Sequence, residues 1–139
     1  MKIAEAGIML IIKDGLILCI SRRNDSNKFG IIGGKKDESD LSTKEAAIRE
    51  TKEEAGLTVK ECVFLYERLE PGKGPNPVDH ISRCYYATEW EGEPVSSDEG
   101  DVLWLNSKFI TSDDHSPFSE YNRYALNVFR EMFPNVNLK

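Results

Sequence analysis

"GGKKDESDLSTKEAAIRETKEEAGL" spans residues 33–57, and its reading decides the fold. Ser42, with Glu45 three residues on, forms a capping box, and Leu41 is placed to staple onto Ala46. A helix is therefore predicted from about Thr43 to Ala55, closed by Gly56 as a left-handed cap. At 100° per residue with Glu50 at the origin, Glu53 falls at roughly −60° and Glu54 at roughly +40°. The three carboxylates share one face, and the small Ala46 and Ala47 one turn earlier leave room above it. Ile48 and Ala55 point the opposite way, toward a core. Like charges at this spacing repel by about 0.2–0.5 kcal/mol per pair. A hard divalent cation reverses that cost; Mg²⁺ takes carboxylate oxygens, keeps several waters and binds phosphates. Taken alone, "RETKEE" also suits a plain solvated face, because Glu, Lys and Arg are good helix formers. The Gly33–Gly34 pair at the end of a strand narrows the choice, since backbone there approaches an anion or offers a carbonyl to a metal.

Working outward, "IAEAGIMLII" and "LILCIS" read as two strands joined by the turn "KDG", where Gly15 tolerates positive φ. Arg22 and Arg23 follow, then a polar loop "NDSNK", then the strand "FGIIGG". Beyond the helix, residues 57–69 read as one or two strands, "EPGKGPNPVD" as a loop, and "HISRCYYATEW" as a further strand. The acidic loop "EGEPVSSDEGD" leads to a short strand, "VLWL". Phe118, Tyr121, Ala125, Val128, Phe129 and Met132 then recur at helical spacing as a core-facing stripe. Hairpins at the start and later in the chain imply an α/β sandwich around a mixed sheet.

A length of 139 residues suits one domain, 1–139, and 40% hydrophobic residues suffice for one core. The net charge of −6 argues against stable binding to nucleic acid or to an anionic membrane. It is compatible with a small anionic substrate when a divalent cation supplies positive charge. The apolar run Gly7–Ile12 is too short to span a membrane and lacks a cleavage site. Cys19, Cys62 and Cys84 form no CxxC pair; Cys19 and Cys84 read as core residues, and the expected compartment is reducing, hence cytoplasmic.

Residues 33–57 resemble the Nudix box, G-x5-E-x7-R-E-U-x-E-E-x-G-U, where U is bulky and apolar. Arg49, Glu50, Glu53, Glu54, Gly56 and Leu57 match in spacing, and Gly34 matches the opening glycine. The loop from Gly34 to Arg49 is one residue longer than the pattern, so its first glutamate falls on Leu41, with Glu38 and Asp40 as the acidic substitutes. Thr51 stands in a U slot, and Ile32 stands where a proline often precedes the glycines. The resemblance implies a Nudix-type α/β/α sandwich. It also implies hydrolysis of a pyrophosphate bond in a nucleoside diphosphate linked to X.

By that resemblance Glu50, Glu53 and Glu54 hold Mg²⁺, with Mn²⁺ as an alternative, and the Gly34 carbonyl joins them. Arg49 orients a glutamate through an ion pair. The general base is Glu50 or an acidic residue of the loop before the last strand. Glu99 is preferred there, also as a metal ligand, with Asp98 and Glu93 next; a solvated turn is the competing reading of that loop. Arg22 or Arg23 would clamp a phosphate or form surface ion pairs. Gly33, Lys35 and His80 are expected beside substrate. "WEGEP" at 90–94 and "DHISRCYY" at 79–86 are similar to the MutT branch, in which a residue placed like Asn122 reads the base. Asn122 is equally an ordinary cap. Phe29, Phe118 and Tyr121 are stacking or core residues. The expected substrate is a nucleoside or deoxynucleoside triphosphate. An ADP-ribose or dinucleoside polyphosphate hydrolase, for which Pro71 speaks, and a non-catalytic nucleotide-binding module are the alternatives. Monomer and homodimer both remain open.

Overall fold

In the computed structural model residues 3–22, 25–72, 78–116 and 118–139 are described, with backbone alone at Arg22 and Ser26. The first apolar run forms β1 (Ala4–Leu10), and its alternation feeds two layers. Met9 packs into a cluster with Leu18, Ile32, Ala47, Leu57 and Tyr85. Leu10, one residue on, packs with Ile17, Cys84, Leu126 and Phe129. One cluster lies under the central helix and the other under the terminal one, so the sheet is covered on both faces as expected.

β1 continues into β2 (Ile12–Lys13), and a tight turn returns the chain as β3 (Leu16–Arg22). Gly15 has φ 79° and Asp14 has φ 53°, so both turn residues are left-handed. β4 is Asp25–Lys35, α1 Thr43–Ala55, β5 Thr58–Glu70, β6 His80–Glu91 and β7 Val102–Leu105; α2 (Ser107–Ile110) and α3 (Ser119–Met132) close the fold. The sheet order is β2-β3-β4-β1-β6-β5, with β7 on β3. β1 runs antiparallel to β4 and parallel to β6, which makes the sheet mixed. Among the described residues no helix is long and apolar enough to cross a membrane.

Several expectations need correction. The polar stretch "NDSNK" is largely strand, because β4 starts at Asp25 and pairs there with Arg22; backbone ladder bonds override polar side chains on the outer end of a hairpin. Residues 57–69, expected as one or two strands, do form a single strand, β5, kinked by register shifts. Leu41 is 92% exposed and makes no staple, since its neighbour Asp40 is the residue that turns inward. The stripe of α3 is buried at Ala125 and Phe129, but Phe118 and Met132 are exposed. Phe118 precedes the helix, and Phe133 stacks on Phe129 at 5.3 Å and meets Tyr86 at 4.9 Å, leaving Met132 outside. Cys19 and Cys84 are buried free thiols, as expected.

Candidate active site

Helix α1 starts where Ser42 accepts a hydrogen bond from the Glu45 N–H, and ends on Gly56 at φ 74°. Its seat on the sheet is made by two glycines that face each other across the β1–β4 ladder, Gly7 and Gly34. A Cβ on Gly7 would collide with the Thr43 carbonyl oxygen, and one on Gly34 would lie 2.6 Å from Glu50 Cδ. The helix backbone therefore approaches the sheet as closely as only glycine permits. Ala46 and Ala47 are fully buried, so the space above the glutamate face is filled by the sheet. The carboxylate face is the docking face, not an open one.

This seating carries Glu50 and Glu54 into the seam between helix and sheet, where Glu99 from the loop before β7 joins them. One carboxylate oxygen from each lies within 4.8 Å of the others. Ser97 fixes that loop: its hydroxyl donates to the Glu54 carbonyl at 3.1 Å and accepts from the Glu99 N–H at 3.2 Å. Burial, a hydrogen bond with Glu50 and the charges of Glu50 and Glu99 push the Glu54 carboxyl up to about 9, against a hydrogen bond from the Gly33 backbone. Burial also raises Glu50, opposed by its bond to Glu54 and by Arg49. Three converging carboxylates in so poorly solvated a place suit a hard divalent cation, whose charge offsets both repulsion and desolvation.

Glu53, expected as a ligand, is not in this group. Its Oε2 accepts from Arg49 Nη1 at 3.1 Å, and the side chain is half exposed. Arg49 behaves as expected, bridging Glu50 at 3.1 Å. It is itself held by Asp40, which accepts from Nε at 2.9 Å and from Nη2 at 2.8 Å. This two-pronged pair holds the Asp40 carboxyl at about 2. Of the two acidic residues named for the missing glutamate, Asp40 is the one that pairs with Arg49, whereas Glu38 is exposed. Counting forward from Gly34 across five residues lands on Asp40, whereas counting back from Arg49 lands on Leu41. The extra residue lies after the acid. Thr51, in an apolar slot, is buried, with its hydroxyl donating to the Ala47 carbonyl at 2.7 Å.

Gly33, Gly34 and Lys35 leave this seam to line a cleft of about 640 Å³ on the α3 side of the sheet. His80, Asn122 and Pro71 line the same cleft. Phe118 and Tyr121 line it too, whereas Phe29 is a core residue. Asn122 is 1% exposed; its Nδ2 donates to the Ile110 carbonyl at 2.8 Å and to Ser116 Oγ at 3.1 Å, while Oδ1 has no hydrogen-bond partner among the described residues. Asp98 and Glu93 are exposed and outside the carboxylate group. The Arg22 side chain and all of Arg23 lie outside the described residues. Sequence reasoning missed Gly7, which only its position opposite Gly34 reveals, and Glu70 and Glu120 on the cleft wall, which carry no motif.

Known proteins bear on this arrangement. The NUDIX domain profile matches residues 1–126. The 8-oxo-dGTP diphosphatase of Escherichia coli (strain K12) is 29% identical over 125 residues, covering 86% of this chain and 93% of that protein. Among solved structures, a MutT protein from Methanosarcina mazei Go1 superposes with a TM-score of 0.72 at 20% identity, covering 92% and 94% of the two chains. An ADP compounds hydrolase superposes at 0.68 and 24% identity, covering 95% and 74%. The fold, the acidic seam beside a cleft and the match over residues 1–126 agree: the chain belongs to the NUDIX domain family and is a nucleotide pyrophosphohydrolase.

Proposed function

We propose that the protein is a Mg²⁺-dependent hydrolase of nucleoside or deoxynucleoside triphosphates, releasing a monophosphate and pyrophosphate. The single observation that carries this reading is the contact of Glu50 and Glu54, two members of the carboxylate group, with Gly34 and Gly33, which also line the cleft. Mg²⁺ bound there, with Mn²⁺ as substitute, neutralises phosphate oxygens and lowers the pKa of a bound water. Glu50, Glu54 and Glu99 are its ligands in this reading, with the Gly34 carbonyl beside them. Glu53, on the rim and tied to Arg49, joins only if that pair opens. Glu50 or Glu99 takes the proton of the attacking water. Arg49, anchored by Asp40, keeps Glu50 in place. Gly33, Lys35 and His80 flank the phosphates and sugar, with Arg22 or Arg23 as a phosphate clamp. Asn122 meets the base. The same reading treats residues 1–139 as one domain, monomeric or homodimeric, acting in the cytoplasm on small nucleotides and holding no nucleic acid. The free thiols support a reducing compartment.

The test is incubation with Mg²⁺ and a panel of NTPs, dNTPs, 8-oxo-dGTP, ADP-ribose and diadenosine polyphosphates, with chromatography of the products. Monophosphate and pyrophosphate, lost with EDTA and with Glu54→Gln, uphold the proposal. The relative's substrate puts 8-oxo-dGTP on that panel. ADP-ribose or a dinucleotide as sole substrate moves the reading to the second hypothesis, favoured by Pro71 on the cleft wall. Binding without turnover of any compound makes the chain a sensor module.

A further inference from the structure

Glu99 is the one member of the carboxylate group that α1 does not carry. It sits in a tight turn, where Ser97 and Gly100 form an isolated bridge and exchange backbone hydrogen bonds at 3.1 and 3.2 Å. Asp98 and Glu99 are the tip of that turn. Glu54 and Glu99 together line a depression of about 280 Å³ with Ile20 and Ser21, so a cation reaches them from solvent. Before it does, the charges of Glu50, Glu54 and Glu99 repel one another, and a carboxylate on a loose turn would swing out into water.

The turn is held from both sides. Toward β3, the Asp101 N–H donates to Ser21 Oγ at 2.9 Å, and the Ser21 N–H donates to the Asp101 carbonyl at 2.9 Å. Gly100 is pressed on the same strand, where a Cβ would lie 2.5 Å from the Ser21 carbonyl oxygen. Toward α1, the contacts fall on carbonyls that a last helical turn leaves without intrahelical donors. The Val95 N–H donates to the Ala55 carbonyl at 2.9 Å, and Ser97 Oγ donates to the Glu54 carbonyl at 3.1 Å. The same Ser97 oxygen accepts from the Glu99 N–H at 3.2 Å. One hydroxyl thus joins the backbones of two carboxylate-bearing residues. Ser96, one residue earlier, is bonded elsewhere: its Oγ accepts from the Val102 N–H at 3.1 Å.

We propose that Ser97 is a positioning residue of the cation site, whose hydroxyl holds Glu99 against α1 so that the third carboxylate stands in place before the cation arrives; this rests on the metal-dependent reading above. A hydroxyl suits the task because it donates and accepts at once. Without it the cation has to order the turn as it binds, and that ordering lowers its affinity. Residues that orient metal ligands from one step away change metal affinity by about 10–100-fold when removed.

The test is titration of the intact metal-free protein with Mn²⁺, read by electron paramagnetic resonance of the free ion, which needs no turnover. Ser97→Ala is expected to weaken Mn²⁺ binding about 10-fold or more. Ser97→Thr, which keeps the hydroxyl, should retain most of the wild-type affinity, and Ser96→Ala should retain all of it. Glu99→Gln should also weaken binding, and adding Ser97→Ala to it should lower the affinity no further, because Ser97 acts through Glu99. Losses that multiply in the double variant overturn the proposal. So does wild-type affinity in Ser97→Ala, and so does an equal loss in Ser96→Ala, which would make any loosening of the loop sufficient. Wild type that binds no Mn²⁺ overturns the cation site and the Ser97 assignment together. The expected Mn²⁺ pattern with no nucleotide hydrolysed upholds Ser97 and overturns the hydrolase reading. Mg²⁺-dependent hydrolysis with unaltered Mn²⁺ binding in Ser97→Ala does the reverse.

Discussion

Replacing Glu54 by glutamine is expected to stabilise the metal-free protein at neutral and alkaline pH while abolishing turnover. Glu54 is 6% exposed, and burial with the charges of Glu50 and Glu99 pushes its carboxyl from 4.5 up to about 9. The folded state thus holds this proton more tightly than the unfolded chain. The stability it contributes is full below the unfolded value of 4.5 and drains as pH rises toward 9. Each pH unit in that window is worth about 1.4 kcal/mol, so the loss at pH 7.5 is about 4 kcal/mol. Glutamine keeps the volume, can accept from the Gly33 N–H and donate to Glu50, and has no carboxyl proton to lose. Wild type and Glu54→Gln should therefore have similar stability near pH 4.5 and diverge steadily above it. Glu50, also raised by burial and bonded to Glu54, shares the titration, so the slope belongs to the pair. Urea denaturation in EDTA at several pH values between 5 and 8 measures the gap. A gap constant across that range refutes the reasoning, because a packing difference carries no pH slope. Adding Mg²⁺ should raise wild-type stability and leave the variant little changed.

Asp40→Ala should lower kcat by about 10–100-fold, the usual effect of losing a partner that orients a site residue, whereas Leu41→Glu should leave steady-state kinetics unchanged. If Leu41→Glu raised activity and Asp40→Ala did nothing, the assignment of Asp40 would be wrong. Gly34→Ala should cut kcat by about 100-fold with a near-normal melting curve, because the new methyl displaces the Glu50 carboxylate, 2.6 Å away, and leaves most of the core untouched. Gly7→Ala should instead destabilise the fold by about 1–3 kcal/mol in urea titration, since the atom it meets is helix backbone that cannot step aside.

The strands, the mixed sheet and the bounds of α1 were legible because each rests on local chemistry: apolar runs, a capping serine, a glycine cap. The Glu50–Glu54 pairing was legible from helical spacing, and Glu99 from the resemblance. What could not be read was direction in space. Helical spacing groups Glu50, Glu53 and Glu54 on one arc, but only packing decides that Glu54 is buried while Glu53 turns out to Arg49. The register of the lengthened loop was equally hidden, because Asp40 and Leu41 are adjacent and the choice depends on which one reaches the Arg49 guanidinium. Glu70 and Glu120 lie 50 residues apart in sequence and are both paired by Arg68.

The weak amphipathicity of α1 has a physical origin in the same seam. A helix normally docks an apolar stripe, yet this one presents Glu50, Glu54 and Thr51 among its inward residues. Docking there is secured by close backbone approach over Gly7 and Gly34, by the Thr43–Tyr85 hydrogen bond at 2.7 Å, and by Ala55 and Leu57 at the far end. Close approach and the gathering of carboxylates are thus one design: the glycines that let the helix settle are those that leave the carboxylates nowhere else to go. Substitutions that enlarge either glycine should separate the two roles. Gly7 bears on the helix backbone and shows in stability; Gly34 bears on the Glu50 carboxylate and shows in turnover. A protein in which both changes moved only stability would have an acidic seam without a catalytic purpose.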